Sequence, residues 1–358
     1  MESERLRTLI AGHPAPDRIF WHGAWYAGHN NPRTARIVPR LGRLDRYPYR
    51  ISDQRLLRGL QYRAWHKLKT PRERLVLGAA ARRYRYMLTT DPAQIRHFPG
   101  KVVVDIDEPT WTEEGVAPLN APNVEAVVVL TERNGRKLEE LGLQKPWHVL
   151  PGGVDRSHLT QASIDEVAHK HRHNGELVVG HISAWFLTKN DRTYNWTSDL
   201  DHMLELWDGI RPGVPHARLW LIGKASQRAR AACAERDDVE LFDSIPFGGA
   251  LPYIANFDIA LYPRTGPEYG VPVKLFEYMG VGAPIVSYDV GSTQIVRETE
   301  AGLMAGDARE FVAAVRQLGG DEVARQRFGR AGLEAAAELE WDRVIERYER
   351  EVLDRYLP

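Results

Sequence analysis

Residues 101–107 read KVVVDID, and the same kind of run returns as EAVVVLT at 125–131, ELVVGHI at 176–182 and RLWLIG at 218–223. Each is a short, nearly unbroken string of branched apolar residues. A strand with one wet face would alternate apolar and polar residues, whereas a strand covered on both faces can stay apolar throughout. The runs therefore read as strands of buried parallel sheets. Parallel neighbours need a crossover, usually a helix, and helical patterns lie between the runs. The chain reads as α/β.

Outward from these runs, DRIFWHG (17–23) is a first strand entering the loop AWYAGHNNP, with a helix from about Arg33. RYRYMLTT (83–90) is a second strand, and a short charged helix, ERNGRKLEELGL (132–143), follows EAVVVLT. Pro151-Gly152-Gly153 is a turn signal suited to a domain boundary. The alternation restarts with ELVVGHIS, then a helix SDLDHMLELWDGI (198–210) with Ser198 as its expected cap. RLWLIGKAS, VELFDSIPF (239–247), DIALYPR (258–264) and APIVSYD (283–289) continue the strand series, and the chain is helical from Ala308 onward. A length of 358 residues suits two such domains. Their expected bounds are 1–152 and 153–339, with a C-terminal helix at about 340–358 packing back on the first. Ligands of such sheets bind at the carboxyl ends of the strands, so function is expected in the loops that follow them.

Hydrophobic residues at 43% and charged ones at 27% exclude a disordered or a membrane chain. Lys plus Arg and Asp plus Glu are 48 each, which argues against a nucleic-acid partner. That neutrality is a cancellation: residues 1–150 carry 25 basic and 16 acidic side chains, the remainder 23 and 32. Cys233, the single cysteine, excludes an internal disulfide or a multi-thiolate metal site and points to a reducing compartment. The opening MESERLRT has no apolar core of a secretion signal, and no run approaches the roughly 18–20 apolar residues of a membrane span. A cytoplasmic protein is expected. P-loop, dinucleotide-fingerprint, zinc-protease, nucleophile-elbow and CxxC motifs are all absent.

Residues 266–291, GPEYGVPVKLFEYMGVGAPIVSYDVG, carry the chemistry. A helix beginning near Val271 puts Lys274 and Glu277 three residues apart on one face. Free N–H groups and the helix dipole at such a start attract phosphate, and a Lys adds a point charge there. Glu277 is an acceptor-only carboxylate suited to paired hydroxyls. An ordinary helix-surface ion pair is the alternative.

This segment resembles the donor-site signature of bacterial glycosyltransferases of the GT-B fold, the group 1 type. LPGGVD (150–155), RLWLIGKA (218–225) and IPFGGALPYIANFDIALYPR (245–264) extend the likeness over most of the C-terminal half. The resemblance implies two Rossmann-like domains facing a central cleft, a nucleotide-sugar substrate, and neither cofactor nor metal. It implies Lys274 for the diphosphate and Glu277 for the ribose. Glu268 would lie near the transferred sugar, although eight residues separate it from Glu277 where many retaining members have seven. Arg264, Ser183, Lys189 and Arg192 are candidates around the phosphates. Ile245, in the turn 244–246, and Gly270 complete the implied donor set.

Glycosyl transfer also needs a base for the acceptor hydroxyl. Alternation along VVVDIDEP puts Asp105 and Asp107 on one face, with Asp107 and Glu108 at the strand's carboxyl end. Asp107 is the preferred base, with Asp105 and Glu108 as alternates. His22 and His29 flank the first glycine loop, Gly23 and Gly28, and could serve instead. Residues 40–85 hold 14 Lys or Arg and three acidic residues interleaved with Leu, Tyr and Trp. They read either as a surface for anionic lipid or as a solvated helical face.

The expected function is a metal-independent, hexosyltransferase-type enzyme using a nucleotide-diphosphate sugar, with a UDP-sugar as first candidate. The acceptor would be a lipid-linked or polysaccharide precursor. The protein would be cytoplasmic, with peripheral contact to the inner face of the membrane through 40–85. A nucleotide-sugar epimerase and a non-catalytic nucleotide-sugar-binding partner are the competing readings.

Overall fold

The computed structural model describes residues 9, 12–25, 32–50, 74–106, 111–173, 175–191, 199–243, 245, 249–264 and 271–357. The chain divides into two compact units, Met1–Gly152 with Trp341–Pro358, and Gly153–Glu340.

Among the described residues the first unit holds a six-stranded parallel sheet. Its strands are β1 (Ile19–Trp25), β2 (Leu44–Arg50), β3 (Tyr86–Thr89), β4 (Lys101–Asp105), β5 (Val124–Val129) and β6 (Trp147–Val149), in the order β2-β1-β3-β4-β5-β6. The apolar runs are buried as expected, Val102 to Val104 and Ala126 to Val129 completely. Helix α1 (Pro32–Arg40) makes the crossover from β1 to β2. Strand β2 (LDRYPYR) falls inside the basic segment and carries no strand periodicity. It forms at the sheet edge, the position where a strand tolerates Pro48. Residues 51–73, half of that basic segment, lie outside the described residues.

The second unit holds another six-stranded parallel sheet among its described residues. It comprises β7 (Leu177–Phe186), β8 (Ala217–Ala225), β9 (Val239–Phe242), β10 (Ile259–Tyr262), β11 (Ile285–Tyr288) and β12 (Gly302–Ala305), ordered β12-β11-β10-β7-β8-β9. Its helices include α2 (Leu200–Ile210), α3 (Val273–Gly280), α4 (Ala308–Gly320) and α5 (Glu322–Ala337). Asp199, not Ser198, caps α2, its carboxylate accepting from the His202 N–H at 3.0 Å. Ser198 lies outside the described residues. Two parallel α/β sheets are the Rossmann-like pair the resemblance implied.

Helix α6 (Trp341–Tyr348) and the residues after it belong to the first unit. Trp341, Val344, Tyr348, Leu353 and Leu357 are buried with Ile19, Trp21, Leu88 and Val128 of the sheet. Arg43 ties the end down, donating to Asp354 at 3.0 Å and to the Leu357 carbonyl at 2.8 Å. Among the described residues no helix is long and apolar enough to cross a membrane.

Candidate functional site

From β7 the chain proceeds one way through β8 and β9, and then to the other side of β7 through β10, β11 and β12. The order reverses between β7 and β10, and in open α/β sheets that junction opens a ligand crevice at the carboxyl ends. The β7–β10 ladder pairs Val179 with Ile259 and Gly180 with Ala260, and no further. Beyond it, side chains replace backbone pairing. The Ile182 N–H donates to the Tyr278 hydroxyl at 3.0 Å, and that hydroxyl donates to the Leu261 carbonyl at 3.3 Å. His181 Nδ1 meets the same carbonyl at 2.8 Å.

Tyr278 thereby docks α3 onto both strand ends. The helix starts two residues later than periodicity suggests, because Pro272 is extended (φ −63, ψ 130) and serves as its N-cap. Buried Leu275, Phe276 and Met279 anchor its inner face, and Lys274 and Glu277 are partly exposed. Gly282, at φ +74, ends the segment in a conformation that favours glycine.

The surface ion-pair reading of Lys274 does not hold: among the described residues it makes no ion pair. Its ammonium lies 5.6 Å from the centre of the Tyr262 ring, a cation–π distance. The Tyr262 hydroxyl in turn accepts from Arg264 at 3.2 Å. Tyr262 thus stands between two cations, its ring toward Lys274 and its hydroxyl toward Arg264. Burial, and then the Arg264 charge, push the Lys274 pKa down to about 8, with Glu277 opposing. An anion placed there would relieve both penalties. His181, from β7, is buried and kept neutral by enclosure and by the Lys274 charge.

The other donor candidates divide. Ser183 is buried, and its hydroxyl donates to the Trp185 carbonyl at 2.9 Å, within an irregular stretch where the β7–β8 register shifts. Lys189 is exposed and turned to α2, its N–H on Asp201 at 2.7 Å and its ammonium 3.5 Å from Glu205. Ile245 is half-buried against the core beside Phe242 and Leu251. Glu268, Gly270, Arg192 and Ser244 lie outside the described residues. Tyr278, Tyr262 and His181 escaped the sequence reading; their signal was only their place beside the Lys274 motif and at the ends of two strands.

In the first unit the order reverses between β1 and β3, where His22 pairs with Thr89. His22 is fully buried and stacks on Phe20 at 6.2 Å, which does not suit it to touch an acceptor. Gly23 is within β1, and Gly28 and His29 lie outside the described residues. Asp105 ends β4, buried, and accepts from the Tyr348 hydroxyl at 2.8 Å, so it anchors α6. Asp107 and Glu108 lie outside the described residues. Among the described residues no group of three or more His, Cys, Asp or Glu could hold a metal ion.

Residues 192–321 match the family model described as Glycosyl transferases group 1. An exopolysaccharide phosphotransferase of Streptomyces coelicolor is 25% identical over 282 residues, covering 74% of this chain and 28% of that protein. The chain therefore spans little more than a quarter of that relative's length. The crystal structure of HepE of Anabaena in complex with UDP superposes at a TM-score of 0.73, with 12% identity over 94% of this chain and all of that one. WaaG, a glycosyltransferase involved in lipopolysaccharide biosynthesis, superposes at 0.65, with 13% identity over 93% of this chain and 99% of its own. These likenesses show the fold.

Proposed function

We propose, from the premise that this chain is a glycosyltransferase of the GT-B fold with a group 1 segment, that it binds a nucleoside-diphosphate sugar at the β7/β10 switch point and transfers the sugar to an acceptor hydroxyl. The observation that carries the site is Lys274, partly buried, without an ion-pair partner among the described residues, and backed by Arg264 through Tyr262. In this reading Lys274 and Arg264 hold the diphosphate and neutralise it as it departs, which is the work a metal does in other transferases. Glu277 accepts from the ribose hydroxyls. The acceptor oxygen attacks the anomeric carbon, the bond from that carbon to the phosphate oxygen breaks, and the acceptor proton passes to a base. Asp107 is our candidate base, with Glu268 near the sugar.

A UDP-sugar is the first donor to test, since HepE holds UDP on the same fold. A polysaccharide or lipid-linked precursor is the acceptor class we favour, in keeping with what the names of WaaG and the Streptomyces relative say of those proteins. We assign the first unit to the acceptor and place the protein in the cytoplasm, with residues 40–85 as a contact for anionic lipid. The deciding experiment is a thermal-shift screen over UDP, GDP and TDP on the parent chain and Lys274→Ala. A nucleotide that stabilises the parent and not the variant supports the site. Equal shifts remove Lys274 from it. Asp107→Asn should then abolish transfer while leaving nucleotide binding intact.

A further inference from the structure

Tyr262 ends β10, where the strand itself asks only for bulk. Ala260 and Tyr262 are buried with Leu275 and Phe276 of α3, while Ile259 and Leu261 belong to the core on the opposite face. With 1% of the residue exposed, a phenylalanine would serve that packing as well. Buried hydroxyls are retained where they have partners, and this one has a cation: Arg264, two residues on, donates to it at 3.2 Å. The ring lies 5.6 Å from a second cation, the Lys274 ammonium on α3. A tyrosine attracts both, one through its π-face and the other through an oxygen lone pair. A carboxylate in its place would also attract both, but it would cancel charge that a phosphate could use.

Two like charges held near one another repel, and the Arg264 charge is one of the causes that lower the Lys274 pKa. Turning outward would relieve that repulsion and free the Arg264 side chain, and the bond to the Tyr262 hydroxyl restrains it. We propose that Tyr262 is a positioning residue of the donor site: it holds Arg264 and Lys274 side by side, so that the site takes two linked phosphates in preference to one. A diphosphate spreads its charge over two phosphorus centres and can meet both cations. A monophosphate gains less from the second cation. The proposal rests on the donor reading above and deepens it. Tyr262 touches no reacting atom and acts through Arg264.

The test measures Kd by calorimetry for UDP and UMP, or for the GDP or TDP pair where the parent prefers that base. It uses the parent, Tyr262→Phe, Arg264→Ala and the double variant. Tyr262→Phe keeps the ring beside Lys274 and removes only the tether of Arg264. It should raise Kd for the diphosphate about tenfold and for the monophosphate about threefold or less. In the Arg264→Ala background the same substitution should change diphosphate Kd by no more than about twofold, because the group it acts through is gone. Core loosening alone would weaken both nucleotides together and would persist without Arg264. Equal weakening of the two nucleotides, no weakening, or a full effect in the Arg264→Ala background overturns the proposal. Each of these leaves the donor site standing if Lys274→Ala still weakens the diphosphate. If Tyr262→Phe does not fold, Arg264→Ala decides: a fall in the ratio of monophosphate to diphosphate Kd supports the paired cations, and an unchanged ratio overturns them. A parent that binds none of UDP, GDP and TDP overturns the donor site itself, and this proposal with it.

Discussion

The hydroxyl of Tyr278 takes the N–H of Ile182 at 3.0 Å, across 96 residues of chain. It stands where a backbone carbonyl would have stood had the β7–β10 ladder continued. The ring is buried, and its pKa is driven far above the ordinary phenol range, first by burial. The contact holds the helix of Lys274 and Glu277 against the crevice. Tyr278→Phe keeps the ring and strands one buried N–H, at a cost of about 1–3 kcal/mol. Urea denaturation should show that loss and nucleotide binding should weaken with it; unchanged values for both would make the bond incidental.

Lys274 carries a pH dependence of definite sign. Its pKa is lowered from 10.5 to about 8, by burial first and then by Arg264. Between those values the unfolded chain binds more protons than the folded one, so this residue makes stability rise with pH through that window. At the proposed donor site nucleotide binding should run the other way, because a diphosphate needs the charged ammonium. Affinity for UDP should fall as pH rises through about 8, steepening toward about tenfold per pH unit if only the charged form binds. Calorimetry from pH 7 to 9.5 should show this slope in the parent and its loss in Lys274→Met.

Gly223 permits the irregular end of β7. At φ +149 it lies where side chains rarely go, and a Cβ there would sit 1.8 Å from the Ser183 carbonyl oxygen. The obstacle is backbone, so it cannot swing aside. Gly223→Ala should cost at least ~2 kcal/mol and disturb β7 beside the site. A melting temperature equal to that of the parent would show that the strand end relaxes freely.

In the first unit, Tyr348→Phe removes the hydroxyl that donates to Asp105 at 2.8 Å and so takes one donor away from a buried carboxylate. A loss of about 1–3 kcal/mol is expected. Deleting residues 341–358 should do far more, because it strips Trp341, Val344, Leu353 and Leu357 from the sheet they cover. Limited proteolysis of both variants checks this: cleavage should increase within the first unit, and an unaltered pattern would contradict the anchoring role.

Local pattern carries the α/β class and most of the strands, because burial on both faces leaves a run such as KVVVDID apolar whatever it pairs with. The Lys274–Glu277 spacing was legible for the same reason: neighbours on one helix face are separated by three residues. Strands β2 and β12 were not legible, one charged and broken by Pro48, the other only Gly302–Ala305. The roles of individual polar groups were hidden more deeply. By sequence Asp105 reads as an alternate base, but Tyr348, 243 residues away, donates to its carboxylate. His181 looked like any strand residue until Leu261 and Lys274 closed around it. Periodicity reports which face of an element is dry. Which distant donor meets which acceptor on that face depends on strand order, and strand order exists only once the sheet has assembled.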